Sequence, residues 1–281
     1  MIPQRNLSLL SNRLARAGGR RIPEAVLERD YCLAWFLVGL SRVPLRERLA
    51  FKGGTALKQC YFGDYRFSED LDFTLLGDVP FDVIREELEP VFAEAARMSG
   101  VSIRLAHADK QTHQNSHTFY LSYEGPLPAT ARPKEFKVDI TIKEEIVFPL
   151  ESRTVLRAYE EYQDLPDDAE ILAYSLNEIA AEKVVALLDP ARNEPRDLYD
   201  IWFLTGGGHA ALGDLIHATE RKWAFRKKKP DDVRAALEAK EARYKKLWEM
   251  RLAAQIAQLP EFAVVFRSVS RAIREADIIG K

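Results

Sequence analysis

Cys32 and Cys60 are the only cysteines in a chain of 281 residues. That scarcity excludes a disulfide framework and a cysteine-based zinc site, and it fits a reducing compartment. Long apolar runs are also missing: none approaches the roughly 20 residues that a membrane span needs. The first residues lack the continuous apolar stretch of a secretory signal. A cytoplasmic protein with no membrane attachment is therefore expected. Charge of one sign is not in excess either. The formal net charge is -2, so any nucleic-acid contact has to come from a local patch. No internal repeat, no low-complexity tract and no Ser-His-Asp or Cys-His arrangement is legible. His113 and His117 would have metal-ligand spacing only on a helix, and the stretch from Asp109 to Ser116 reads as a polar loop, which argues against zinc.

What is present is an ordinary globular composition, 47% hydrophobic and 30% charged, long enough for one large domain or two modest ones. The periodicities predict helices over 5–17, 23–41, 55–62 and 81–99. They predict strands over 48–52, 70–76, 101–107, 117–123 and 135–142. In the last strand Phe136, Val138, Ile140 and Ile142 share one face, and Lys137, Asp139 and Thr141 share the other. Beyond about residue 175 helical patterns dominate: 176–188, 196–205, 209–224, 230–249, 250–258 and 261–277. The order implies an α+β chain, with a mixed αβ lobe over 1–170 followed by an all-helical lobe over 171–281.

The most informative stretch joins Phe51-Lys-Gly-Gly-Thr-Ala-Leu57 to Arg66-Phe-Ser-Glu-Asp-Leu-Asp-Phe73. Gly53 and Gly54 permit a tight strand-to-helix turn and close approach of a phosphate to the backbone. Thr55 adds a hydroxyl. Asp70 and Asp72, one residue apart on a strand, point to one side. Two convergent carboxylates beside a glycine turn suit Mg²⁺ held against a nucleoside triphosphate. The bland alternative is a turn glycine pair with two surface acids. The stretch is not a P-loop, because no Gly-Lys-Ser/Thr follows. Asp139 could supply a third carboxylate, or it could be a solvated acid on a half-buried strand.

Further along, Lys183 could aim its ammonium at a phosphate or lie along an apolar helix face. Asp197 could be a capping acid, and Asp200 stands four residues from Arg196, at ion-pair spacing. The basic run Arg226, Lys227, Lys228 and Lys229, close to Trp223, suits a phosphate backbone with exposed bases, or else a solvated helix face.

Taken in order, Lys52 to Leu57, Tyr61 and Arg66 to Phe73 resemble the signature of the AbiEii/AbiGii toxin family of nucleotidyltransferases. Glu28-Arg-Asp-Tyr31, Glu178 to Leu187 and Pro195 to Asp200 resemble its other motifs, over roughly residues 23 to 205. Two features depart from the pattern: a long glycine-to-aspartate spacing, and Asp189-Pro190 ahead of Arg192. The resemblance implies a polymerase-β-like nucleotidyltransferase lobe with a mixed sheet, then a helical lobe that completes the active site. It implies the effector of a type IV toxin–antitoxin or phage-defence pair, with a winged-helix antitoxin encoded nearby. It implies transfer of a nucleotide from an NTP to the 3′ end of tRNA, blocking aminoacylation. On this chain Lys52, Gly53, Gly54, Thr55, Arg66 and Ser68 would line the nucleotide. Asp70 and Asp72 would hold Mg²⁺ (or Mn²⁺), and the strand pattern, rather than a matched motif, offers Asp139 as the third carboxylate at the metal. Lys183 with Asp197 or Asp200 would complete the catalytic set. The basic run Arg226 to Lys229 is not motif-matched, and its expected RNA contact rests on charge alone. A phosphate on Ser68 would add about two negative charges beside the metal site. Two alternatives keep the fold: a protein or small-molecule acceptor, and an NTP-binding module without turnover.

Overall fold

The computed structural model describes residues 1–17, 19–109, 115–276 and 278. His113 lies outside them. The chain forms two compact units. The first comprises residues 1–144, 150–173 and 255–257, and the second residues 145–149, 174–254 and 258–281. Each unit thus takes in a short segment from the other's stretch of sequence.

The first unit is built on a seven-stranded mixed sheet. Helices α1 (Gln4–Arg16) and α2 (Glu24–Ser41) precede β1 (Leu49–Lys52), α3 (Gly53–Ala56), β2 (Asp70–Leu75) and α4 (Phe81–Ser99). Strands β3 (Ser102–Ala108), β4 (Ser116–Glu124), β5 (Lys134–Thr141), β6 (Leu150–Thr154) and β7 (Glu170–Tyr174) follow. The spatial order is β3-β4-β5-β2-β1-β7-β6. β2 runs antiparallel to β1 and parallel to β5. One face of the sheet carries the core. Phe36 of α2 meets Phe73 and Phe136 at ring-centroid distances of 6.4 and 6.2 Å, and Phe51 meets Phe73 at 5.1 Å. Alternation leaves Asp70 and Asp72 on the opposite face of β2, and Lys137 and Asp139 on that of β5.

The expected helix over 55–62 starts earlier, at Gly53, and changes pitch at its end. Residues Leu57–Tyr61 form a π-turn, closed by the Phe62 amide donating to the Leu57 carbonyl at 2.8 Å. Two strands, β6 and β7, were not legible as strands. The helix expected over 250–258 does not form: turns follow Leu252. Its backbone is used otherwise. The Gln255 carbonyl accepts from the Phe67 amide at 2.9 Å, and the Ala257 carbonyl from the Arg20 amide at 2.8 Å.

The second unit is helical. It contains α5 (Leu176–Leu188), α6 (Pro195–Gly206), α7 (Ile216–Arg226), α8 (Val233–Glu238), α9 (Glu241–Leu252) and α10 (Phe262–Glu275). The stretches 209–224 and 230–249, each expected as one helix, are divided. A 3₁₀ turn over Leu212–Leu215 precedes α7, and a break at Ala239 and Lys240 separates α8 from α9. The Ser175 side chain caps α5 by accepting from the Glu178 amide. The fully buried Lys222 ammonium sits 2.6 Å from Glu178, also fully buried. Glu178 in turn accepts from the Val147 and Phe148 amides, fastening residues 145–149 to the helices. Among the described residues no helix is long and apolar enough to cross a membrane.

Candidate active site

Strand register assembles the first group of candidate side chains. Lys52 of β1 pairs with Asp72 of β2, and Asp72 pairs with Asp139 of β5. Asp70 pairs with Lys137 in the neighbouring row. All five belong to the face opposite the core. The parallel β2–β5 pairing therefore brings Asp139 beside the Asp70–Asp72 couple.

Gly53 opens the turn above these carboxylates with φ +77, and a Cβ at this position would stand 2.7 Å from Asp72 Oδ2. Only glycine suits both demands. A Cβ on Gly54 would run into the guanidinium of the buried Arg66. Arg66 Nη1 donates to the Phe67 carbonyl at 3.3 Å and to Gln255 Oε1 at 3.4 Å. The Thr55 hydroxyl donates to the Asp70 carbonyl and is hydrogen-bonded to the buried Ser68 hydroxyl at 2.7 Å. Lys52 Nζ donates to Thr141 Oγ1 at 3.0 Å. The glycine turn, the aspartate strand and their hydroxyl tie thus form one connected cradle.

Asp139 is more heavily engaged than its sequence context suggested. One carboxylate oxygen accepts from Thr118 and the other from the Lys137 ammonium. Lys137 is half-buried, which favours its neutral form. The hydrogen bond to Asp139 and the charges of Asp139, Asp70 and Asp72 outweigh this and hold its pKa above the ordinary lysine value. Among the described residues no three Asp, Glu, His or Cys side chains already converge as a metal cluster. The donor chemistry nonetheless fits Mg²⁺, which takes one or two carboxylates with the remaining positions filled by water and phosphate. Asp70 and Asp72 are the residues that would hold it.

The second group lies in the helical unit. Lys183 of α5 is salt-bridged to Asp197 at 2.9 Å and to Asp200 at 2.8 Å, both on α6 and both fully buried. Arg192 Nε contacts Asp197 at 2.6 Å. Burial alone would raise the Asp197 pKa, but the charges of Lys183 and Arg192 bring it below the usual carboxylate value. Lys183 is therefore a paired cation rather than a snorkelling one. Asp197 lies in the first turn of α6, whose N-cap is Glu194. Arg196 is ion-paired with Glu194 at 3.6 Å, whereas Asp200 is paired with Lys183. One residue without a motif supports this group. Lys240 Nζ donates to the carbonyls of Asp189 and Arg192, each at 2.6 Å, and so ties down the loop that carries Arg192.

The basic run is largely engaged within its own unit. Arg226 pairs with Glu182 at 3.0 Å and Lys228 with Asp189 at 3.2 Å. Lys227 takes a left-handed conformation at the end of α7, and Lys229 lies 6.0 Å from the centroid of the Trp223 ring. His117 is stacked on Phe81 at 4.7 Å, and partial burial lowers its pKa.

The family described as nucleotidyl transferase AbiEii toxin, type IV toxin–antitoxin system, matches residues 35–274. The chain belongs to this family. Membership makes it a nucleotidyltransferase toxin of the type IV class and implies a nucleotide substrate and an antitoxin partner. Solved structures share the fold. The nucleotidyltransferase toxin MenT4 of Mycobacterium tuberculosis superposes with a TM-score of 0.66 at 15% identity, covering 96% of this chain and 89% of that one. The protein JHP933 of Helicobacter pylori gives 0.54 at 19% identity, covering 91% of this chain and 93% of that one. No curated protein matches the sequence.

Proposed function

We propose that this nucleotidyltransferase toxin transfers a nucleoside monophosphate from an NTP to the 3′ end of tRNA in a Mg²⁺-dependent reaction, blocking aminoacylation and translation. The observation that carries the reading is the register that sets Asp139 beside Asp70 and Asp72 at the Gly53–Gly54 turn. Bound Mg²⁺ would neutralise triphosphate charge and make the acceptor hydroxyl easier to ionise. The backbone at Gly53 and Gly54 accommodates the phosphates at close range, and Arg66 offsets their charge. Asp139 is the third carboxylate of the site and would face the acceptor hydroxyl and its metal once Lys137 yields one of its oxygens. The hydroxyl oxygen attacks the α-phosphorus, and pyrophosphate leaves. The reading also gives Lys183, with Asp197 and Asp200, a role in transfer. A winged-helix antitoxin is the expected partner.

The test is incubation of the purified protein with total tRNA, Mg²⁺ and each α-labelled NTP in turn, alongside Asp70→Asn. Label should enter tRNA from one NTP and be absent in the variant. Label in protein or in a small molecule would move the acceptor, and full activity of Asp70→Asn would remove the proposed metal site.

A further inference from the structure

The face that holds the aspartates continues across β4 to the edge strand β3, and there it changes character. Asp70 pairs with Lys137, Lys137 with Tyr120, and Tyr120 with His107, one row across four strands. The register of β3 against β4 shifts between Leu105 and His107. Unshifted pairing would set His107 opposite Phe119, on the core face. The bulge instead places it opposite Tyr120 on the aspartate face, the kind of re-aiming that bulges produce. The two rings stack at a centroid distance of 4.5 Å with an interplanar angle of 16°. The His107 side chain is 55% exposed.

We propose that the His107–Tyr120 stack is a platform for the unpaired 3′-terminal base of an RNA acceptor. This rests on the reading of the chain as an RNA nucleotidyltransferase and adds a binding site to it. Two observations and the role proposed above for Asp139 support the placement. Tyr120 lies one strand across and two residues along from Asp139, on the order of 8 Å between Cα atoms by ladder geometry. That is the scale separating a 3′-hydroxyl from its own base. Asp139 is the carboxylate assigned to the acceptor hydroxyl, so the platform lies on the acceptor's side. A groove of about 620 Å³ borders His107 and is lined by Arg104, Arg132 and Ser122, with Glu124 and Glu135 also in its wall; the two arginines offer contacts to phosphates beyond the terminal nucleotide. Arg104 is ion-paired with Glu124 at 2.6 Å and His107 approaches Glu135 at 3.9 Å, so the attraction is local and moderate. Aromatic rings beside a groove that carries cationic side chains are how single-stranded nucleic acid is bound without a base code. A purely structural role would make the pair an ordinary cross-strand contact.

The two roles separate kinetically. Acceptor KM and NTP KM are measured for wild type, His107→Ala, Tyr120→Ala and Tyr120→Phe, with thermal midpoints recorded. Each alanine variant should raise the acceptor KM by about tenfold and leave the NTP KM unchanged, and Tyr120→Phe should retain wild-type values. An RNA ending in an abasic nucleotide with an intact 3′-hydroxyl should lose the same factor on the wild type and nothing further on Tyr120→Ala. Wild-type transfer to RNA with unchanged acceptor KM in both alanine variants would overturn the platform alone. A parallel rise in both KM values with a lowered midpoint would do the same. Absence of transfer to RNA by the wild type would overturn the RNA reading and the platform with it.

Discussion

Asp72 and Asp139 are direct partners across two parallel strands, yet Lys137, two residues before Asp139 on the same face, places its ammonium on the Asp139 carboxylate. The site thus carries its own cation among three acids. That cation lowers the repulsion between carboxylates, and it opposes a second positive charge.

Replacing Lys137 should therefore change metal affinity. A unit charge a few residues away, at the effective dielectric of a half-exposed site, is worth about 1 kcal/mol, or roughly fivefold. Lys137→Met should lower the half-saturating Mn²⁺ concentration by about that factor, read by direct titration in the absence of nucleotide. Weaker Mn²⁺ binding would mean that Lys137 orders the carboxylates rather than competing with the ion.

Gly53 and Gly77 form a matched pair. Both have positive φ, +77 and +97, but a Cβ on Gly53 would crowd Asp72, whereas nothing lies within 4 Å of one on Gly77. The left-handed conformation costs a residue with a side chain roughly 1–2 kcal/mol. Both alanine variants should lose about that much in urea melts. Only Gly53→Ala should also lose most of its nucleotide transfer, because Asp72 must move. Equal activities would show that the turn does not position the aspartate.

The strand faces that carry this candidate site are legible in the sequence. The alternation of Leu71 and Phe73 with Asp70 and Asp72 fixed the face of β2, and the same period in β5 put Asp139 opposite Val138 and Ile140. Both signals are local. The pairing of β2 with β5 is not, because the partners lie more than sixty residues apart and nothing in either strand encodes the register. The charged edge strand β6, with Glu151 and Arg153, and the five-residue β7 lack the length that makes alternation visible. The bulge that turns His107 over shows only as pairing. Arg196 and Asp200 had helical ion-pair spacing, but Asp200 faces the buried Lys183, where an ammonium without a carboxylate would be far more costly.

Lys183 bridges two fully buried carboxylates, so its removal should be felt in stability as well as in transfer. Breaking a buried pair typically costs about 3–5 kcal/mol. Lys183→Met should lose that much in chemical denaturation, and Lys183→Met/Asp200→Asn should recover part of it while remaining inactive. An unaltered midpoint in the single variant would mean that Arg192 alone compensates the two acids.

Lys240 gives a pH signature to the same loop. Burial pushes its pKa down to about 8, with Asp189 and Asp197 opposing the shift and Arg192 adding to it. In the unfolded chain its pKa returns to about 10.4. Between these values the unfolded state binds more protons than the folded one, so folding stability rises with pH. Below pH 8 both states are protonated and the contribution is constant. Lys240→Met removes the titration together with two hydrogen bonds from a charged donor, costing about 1.5–3 kcal/mol each, in part offset by a methionine that need not desolvate a charge. The variant should therefore be less stable at pH 7, and its deficit relative to wild type should widen from pH 8 to 10.5. Urea midpoints taken across that range test the sign directly. A deficit that narrows as pH rises would mean that the ammonium form, not the amine, is the better partner for the Asp189 and Arg192 carbonyls, and that Lys240 holds the Arg192 loop by charge.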